Sequence, residues 1–214
     1  MRKSQKLMLT SVLLAIIAVM TILPSLSWLS STTDPVVNTF AGGTIALKLD
    51  EAKVDTDGKA IAGEPRVKEN RYKYVAGAVL DKDPTATVLK GSEECYVFLL
   101  VENGLNNDKF TMNCDTESWL KVAETADGSS TVYAYKTKVN ALESDVDVAL
   151  EPIFTKVTIS NELTSADIEA LGEKKVCVTA FAVQTANVDT ETACNLALGQ
   201  FKLTGVSVTV PEIG

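Results

Sequence analysis

The sequence predicts an antiparallel β-sandwich of jelly-roll type with two short helices in its connections. Three observations carry this: eight or nine short extended runs parted by turn residues, two runs apolar on both faces, and only two stretches with helical start and stop signals.

The runs can be justified in order. Residues 44–49 alternate, placing Ile45, Leu47 and Leu49 on one face of a strand. Asp55-Thr56-Asp57-Gly58 has turn chemistry, and Glu64-Pro65-Arg66 is loop-like. Residues 72–80 read as extended, followed by a turn at Asp81-Lys82-Asp83-Pro84 and a short strand over 85–89. Cys95–Asn103 is apolar on both faces and rich in β-branched and aromatic residues, as a central strand covered on each side requires. Asn103-Gly104 and Asn106-Asn107-Asp108 close it. Residues 119–122, 132–139 and 154–159 supply three more strands, and Val176–Gln184 is a second strongly buried one. The last runs over 201–210, alternating through Leu203, Val206, Val208 and Val210. Thr164-Ser165-Ala166-Asp167 is a capping box ahead of a short helix that stops at Gly172, and 190–199 reads as the second helix.

Ahead of this domain stands a secretory address. Arg2, Lys3 and Lys6 precede an apolar run over 7–23, then Pro24 breaks it, and small residues flank a cut after Ser27, before Trp28. The run is too short for a membrane span of ~20 residues; a retained anchor ending near Leu29 is the alternative. The organisation expected is a signal peptide over 1–27, an extended segment over 28–38 and a jelly-roll domain over 39–214. The mature protein would be secreted, to the extracellular matrix or cell surface, and not embedded in the membrane. Without a further apolar run or sorting signal, any hold on a surface is expected to be non-covalent.

Cutting the leader leaves 17 basic against 28 acidic residues, a net charge of −11. This balance argues against nucleic acid as a partner. The chain has no histidine, which excludes Ser-His-Asp and Cys-His catalysis and every His-ligated metal centre. No cofactor is expected. Cys95, Cys114, Cys177 and Cys194 lie in the exported part, where disulfides form. Three full pairings are possible, with Cys95 to Cys114 and Cys177 to Cys194 the short-range choice, against four buried reduced thiols. Asp55-Thr56-Asp57-Gly58 lacks the spacing of a calcium loop. Asp145, Asp147 and Glu151 read as a solvated strand edge rather than an acid/base pair, and Trp119, Tyr133 and Tyr135 as packing aromatics rather than a glycan platform.

Taken in order, several segments resemble the TasA/camelysin family of exported Gram-positive proteins processed by a SipW-type signal peptidase. Ser27-Trp28-Leu29-Ser30 stands at the family's cut region, and Asn38-Thr39-Phe40-Ala41-Gly42-Gly43-Thr44-Ile45 is similar to its N-x-F-x-A-G segment. Val75-Ala76-Gly77 with 81–88, Cys95-Tyr96-Val97-Phe98 with Val101-Glu102-Asn103, and Ala180-Phe181-Ala182-Val183-Gln184 with Ala193 follow. Ser27 replaces the family's Ala, and Ala76 its Pro. The resemblance implies a biofilm-matrix fibre subunit in which the N-terminal segment of one copy completes the sheet of the next. Trp28, Leu29, Val36 and Val37 would be the apolar pegs of that donor, with pairing interrupted at Pro35. The partner would be a second copy, assembled after the SipW-type peptidase cuts. Two other functions fit the class: a camelysin-like surface metalloprotease, for which no zinc site is recognisable, and a non-catalytic adhesin or binding module. The expectation is a structural protein and not an enzyme.

Overall fold

The computed structural model describes residues 30–33, 38–39 and 44–214. Six strands, β1 (Ser30–Thr33), β12 (Val176–Gln184), β6 (Cys95–Asn103), β9 (Ser130–Tyr135), β8 (Trp119–Glu124) and β13 (Ser207–Val208), form the large sheet in that spatial order. A second sheet has the order β10 (Val148–Ala149), β5 (Thr85–Val88), β3 (Ala46–Asp50) and β2 (Asn38–Thr39). A third joins β4 (Val79–Asp81), β11 (Lys156–Ile159) and β7 (Phe110–Thr111). The pairings between these strands are antiparallel. Two helices, α1 (Ser165–Leu171) and α2 (Thr190–Gln200), flank β12 in sequence. The chain is therefore mainly β and fits an antiparallel β-sandwich, the class the sequence predicts; the winding of a jelly roll is a finer expectation.

Two faces of one strand organise the core. Cys95, Val97, Leu99 and Val101 of β6 pack with Ile45, Leu47, Ala86 and Val88 of the second sheet. Tyr96, Phe98 and Leu100 point the other way, toward Ala193, Cys194, Ala197 and Leu198 of α2. This period of two is why a run with no polar residue in its first seven positions forms a strand with both faces buried. A third, smaller cluster centres on Leu80, Val157, Ile159 and Leu163, with Tyr72, Tyr74 and Phe110 against it.

The helices follow their end signals. Thr164 and Asp167 form the expected capping box, and Gly172 closes α1 at φ +58°. Asp189 caps α2 by accepting from the Thr192 amide at 2.8 Å.

Some strands are shorter than the sequence suggests. Of 72–80 only the end is strand, because the chain turns at Gly77 (φ +76°), where a Cβ would meet Asn161 Oδ1. That turn lays Tyr72 and Tyr74 on the third cluster. Residues 201–210 are strand only over Ser207–Val208, since Lys202 and Gly205 take positive φ. Leu203 and Val206 still reach the second cluster. The strand expected over 132–139 ends at Tyr135, although Val139 bridges Cys95. Asp145 lies in a bend and Asp147 just ahead of β10, neither on a strand, and Asp147 accepts from the Lys90 amide at 3.0 Å.

The excursion over 51–82 is tied back by charge. Arg66 donates to Asp50 Oδ1 (2.6 Å), Asp83 Oδ2 (2.9 Å), Thr85 Oγ1 (2.9 Å) and the carbonyls of Asp50 and Asp83. Burial alone would lower the Arg66 guanidinium, but its hydrogen bonds and ion pairs to Asp83 and Asp50 outweigh that and raise it. The Asp50 side chain is 5% exposed; its Oδ2 has no directed hydrogen bond and faces Lys48 Nζ at 2.5 Å. Arg66→Ala is therefore expected to cost about 2–3 kcal/mol in urea unfolding, below the range for a fully buried pair because the arginine is partly hydrated. An unchanged midpoint would show that Lys48 alone neutralises Asp50.

The β8–β9 hairpin depends on Asp127. Its Oδ1 accepts from Thr125 Oγ1 (2.7 Å), the Ser129 amide (3.1 Å) and Ser129 Oγ (2.8 Å), which pulls the carboxyl down to about 2. A depressed folded value adds stability that is complete above the unfolded carboxylate's ~3.9 and lost as pH falls toward 2. Asp127→Asn should consequently show a smaller drop in urea midpoint between pH 6 and pH 2 than the wild type.

Candidate functional site

The large sheet would end at β12 but for one short strand. Ser30, Ser31, Thr32 and Thr33 of β1 stand opposite Val183, Ala182, Phe181 and Ala180. No apolar period marks Ser-Ser-Thr-Thr as a strand, so main-chain hydrogen bonding is what this edge offers it. An unpaired edge of this kind is a template for any extended chain. The described ladder runs from Ser30 to Thr33; Pro35, where an interruption is expected, lies outside the described residues. Asn38 and Thr39 stand opposite Leu47 and Ala46 of β3. Residues 30–33 thus edge the six-stranded sheet and residues 38–39 the four-stranded sheet.

Of the residues assigned to this segment from sequence, Ser27, Trp28, Leu29, Val36 and Val37 lie outside the described residues. What the structure adds is the identity of the strand beside β1. It is β12, the second strongly apolar run, which pairs along its whole length with β6 on its other side. Sequence could not choose that edge, because strand order is a property of the assembled sheet.

The cysteines divide by environment, and all four are free thiols. Cys95 is buried in the core between the sheets, its Sγ 3.6 Å from the Val139 carbonyl, and burial pushes it up to about 12. Cys114 is half-buried beside Tyr133, and burial raises it too. Cys194 is buried on α2 and pushed up to about 11, first by burial and then by Glu191. Cys177 is exposed, opposite Glu102 on the register of β12 with β6. The aromatics proposed as packing residues do pack: Trp119 is fully buried, donates to the Glu151 carbonyl at 2.8 Å and meets Tyr135 edge-on.

Among the described residues, no group of three or more His, Cys, Asp or Glu side chains is placed to hold a metal ion. Among the same residues, no helix is long and apolar enough to cross a membrane.

Because the thiolate is the reactive form, iodoacetamide at pH 8 should label Cys177 first in the folded protein. Cys114 should follow slowly, with Cys95 and Cys194 labelled only after denaturation. Peptide mapping reads the order, and early labelling of Cys95 would contradict its burial.

Comparison of the chain with family models, curated proteins and solved structures found no match.

Proposed function

We propose that this chain is a secreted structural protein, the subunit of an extracellular filament or biofilm matrix. Copies join by exchanging the segment over 28–37, after a SipW-type peptidase has cut before Trp28. The observation that carries the reading is the pairing of β1 with β12 through residues 30–33. A strand at a sheet edge, 143 residues before its partner strand begins, can be supplied by a second copy with the same hydrogen bonds. The intrachain arrangement is then the closed monomer, and exchange between copies opens it into a head-to-tail chain. Each ladder bond contributes only about 0.5–1.5 kcal/mol. A few such bonds hold a monomer closed loosely enough to exchange. The apolar side chains at 28, 29, 36 and 37 would add the rest in the acceptor. No catalysis is part of this reading.

Negative-stain electron microscopy tests it. Protein starting at Trp28 should form filaments, and protein starting at Asn38 should stay monomeric. The double substitution Ser31→Pro with Thr32→Pro should also abolish filaments, because one of two adjacent strand amides faces the partner and proline has none. Monomers from the longer protein would sink the filament reading. Filaments from the shorter one would sink the exchange.

A further inference from the structure

One group of side chains after β3 and β4 brings an amine, a carboxylate and a carboxamide together. Glu51 follows β3, Lys82 follows β4, and Asn70 lies in the connection between those strands. Lys82 Nζ donates to Glu51 Oε2 at 2.6 Å, and Asn70 Nδ2 donates to Glu51 Oε1 at 3.0 Å. One carboxylate therefore holds an amine on one oxygen and a carboxamide on the other. The Glu51 and Lys82 side chains are 6% and 14% exposed, so water is largely excluded. The Tyr72 ring forms a wall, 5.8 Å from Lys82 Nζ, with its hydroxyl donating to the Asp81 carbonyl at 2.9 Å.

The amide is oriented as well as held. Asn70 Oδ1 accepts from the Val54 amide at 3.1 Å, while Nδ2 also donates to the Ala52 carbonyl at 2.7 Å. Neither partner could accept the flipped amide, since Val54 offers only a donor and Ala52 only an acceptor. The Val54 N–H thus points at the oxygen on which negative charge would develop if a nucleophile added to Cγ. The departing nitrogen faces the carboxylate.

The geometry points to an intramolecular isopeptide bond between Lys82 and Asn70, formed with Glu51 as proton carrier. Glu51 takes a proton from the Lys82 ammonium across their contact, which removes two poorly hydrated charges together. The amine then adds to Asn70 Cγ, the four-carbon stem of Lys82 closing the remaining distance. The Val54 amide holds the resulting oxyanion. As it collapses, the Cγ–Nδ2 bond breaks and Nζ keeps a single proton. Lys82 Nζ gives up two protons in all, and Nδ2, already bearing two, receives both and leaves as ammonium. Glu51 ends as the carboxylate it began as, and nothing is oxidised or reduced. The product is a secondary amide that staples Asn70, inside the 51–82 excursion, to Lys82 at its end.

Intact-mass spectrometry of the folded full chain tests this. Wild type should be lighter than its sequence by one ammonia, and proteolysis should yield a branched peptide joining the segments that carry Asn70 and Lys82. Lys82→Arg keeps the ion pair but is no acyl acceptor here, and Glu51→Gln keeps the shape but cannot carry protons. Both should have full mass. Wild type at full mass would overturn the proposal. So would an ammonia loss that persists in Lys82→Arg, which would place it at another amide. Loss retained in Glu51→Gln would remove Glu51 from the reaction. The Lys82→Arg comparison stands even if Glu51→Gln fails to fold.

Discussion

The nine-residue ladder between β6 and β12 is the constraint on which the rest of the molecule depends. The register places Val97 against Ala182, Phe98 against Phe181 and Leu99 against Ala180, so two apolar strands are locked side by side at the middle of the large sheet. Each fully buried Val, Leu or Phe contributes about 1.5–3 kcal/mol, and β6 carries such residues on both faces. A slip of one residue would send its outward set inward and reverse which side chains meet the second sheet and which meet α2. The same ladder decides where the sheet ends. Because β6 occupies one side of β12, only the other side remains for β1.

Polar chemistry is concentrated elsewhere, at the corner where the excursion over 51–82 returns to β3 and β5. The arginine clamp on Asp50 and Asp83 and the Lys82–Glu51–Asn70 group share that corner, and adjacent residues serve each: Asp50 beside Glu51, Lys82 beside Asp83. Buried ion pairs add little net stability but cost heavily when broken. They act here as alignment: an excursion with little regular structure is held in one place by ion pairs and hydrogen bonds to the end of β3 and to the turn ahead of β5.

Much of this fold was legible in the sequence wherever burial leaves a local pattern. The continuous apolar runs at Cys95–Asn103 and Val176–Gln184, the alternation through Ile45, Leu47 and Leu49, and the Thr164–Asp167 capping box all announce themselves over a few residues. What could not be read was long-range or polar. Arg66 sits in a stretch that looks like an ordinary loop, and its partners, 16 and 17 residues away, have no periodic relation to it. Glu51 and Lys82 are 31 residues apart and individually unremarkable as surface charges. Ser30–Thr33 has the composition of a linker and becomes a strand only because an edge is vacant beside it. Strands shortened by a positive φ, as at Lys202, carry no warning when the residue is not glycine.

The separation of β1 from its partner has a consequence for the order of events as the chain is made. Ser30 and Val183 are opposite one another although some 150 residues lie between them. In a chain emerging from its N-terminus, that first strand is out long before its seat exists, since β12 is the last long strand to appear. The seat also needs β6 and β9 in place behind it. Closing so long a loop is slow compared with pairing neighbouring strands. Residues 30–33 are therefore late to settle, and the edge of β12 stays open until they do.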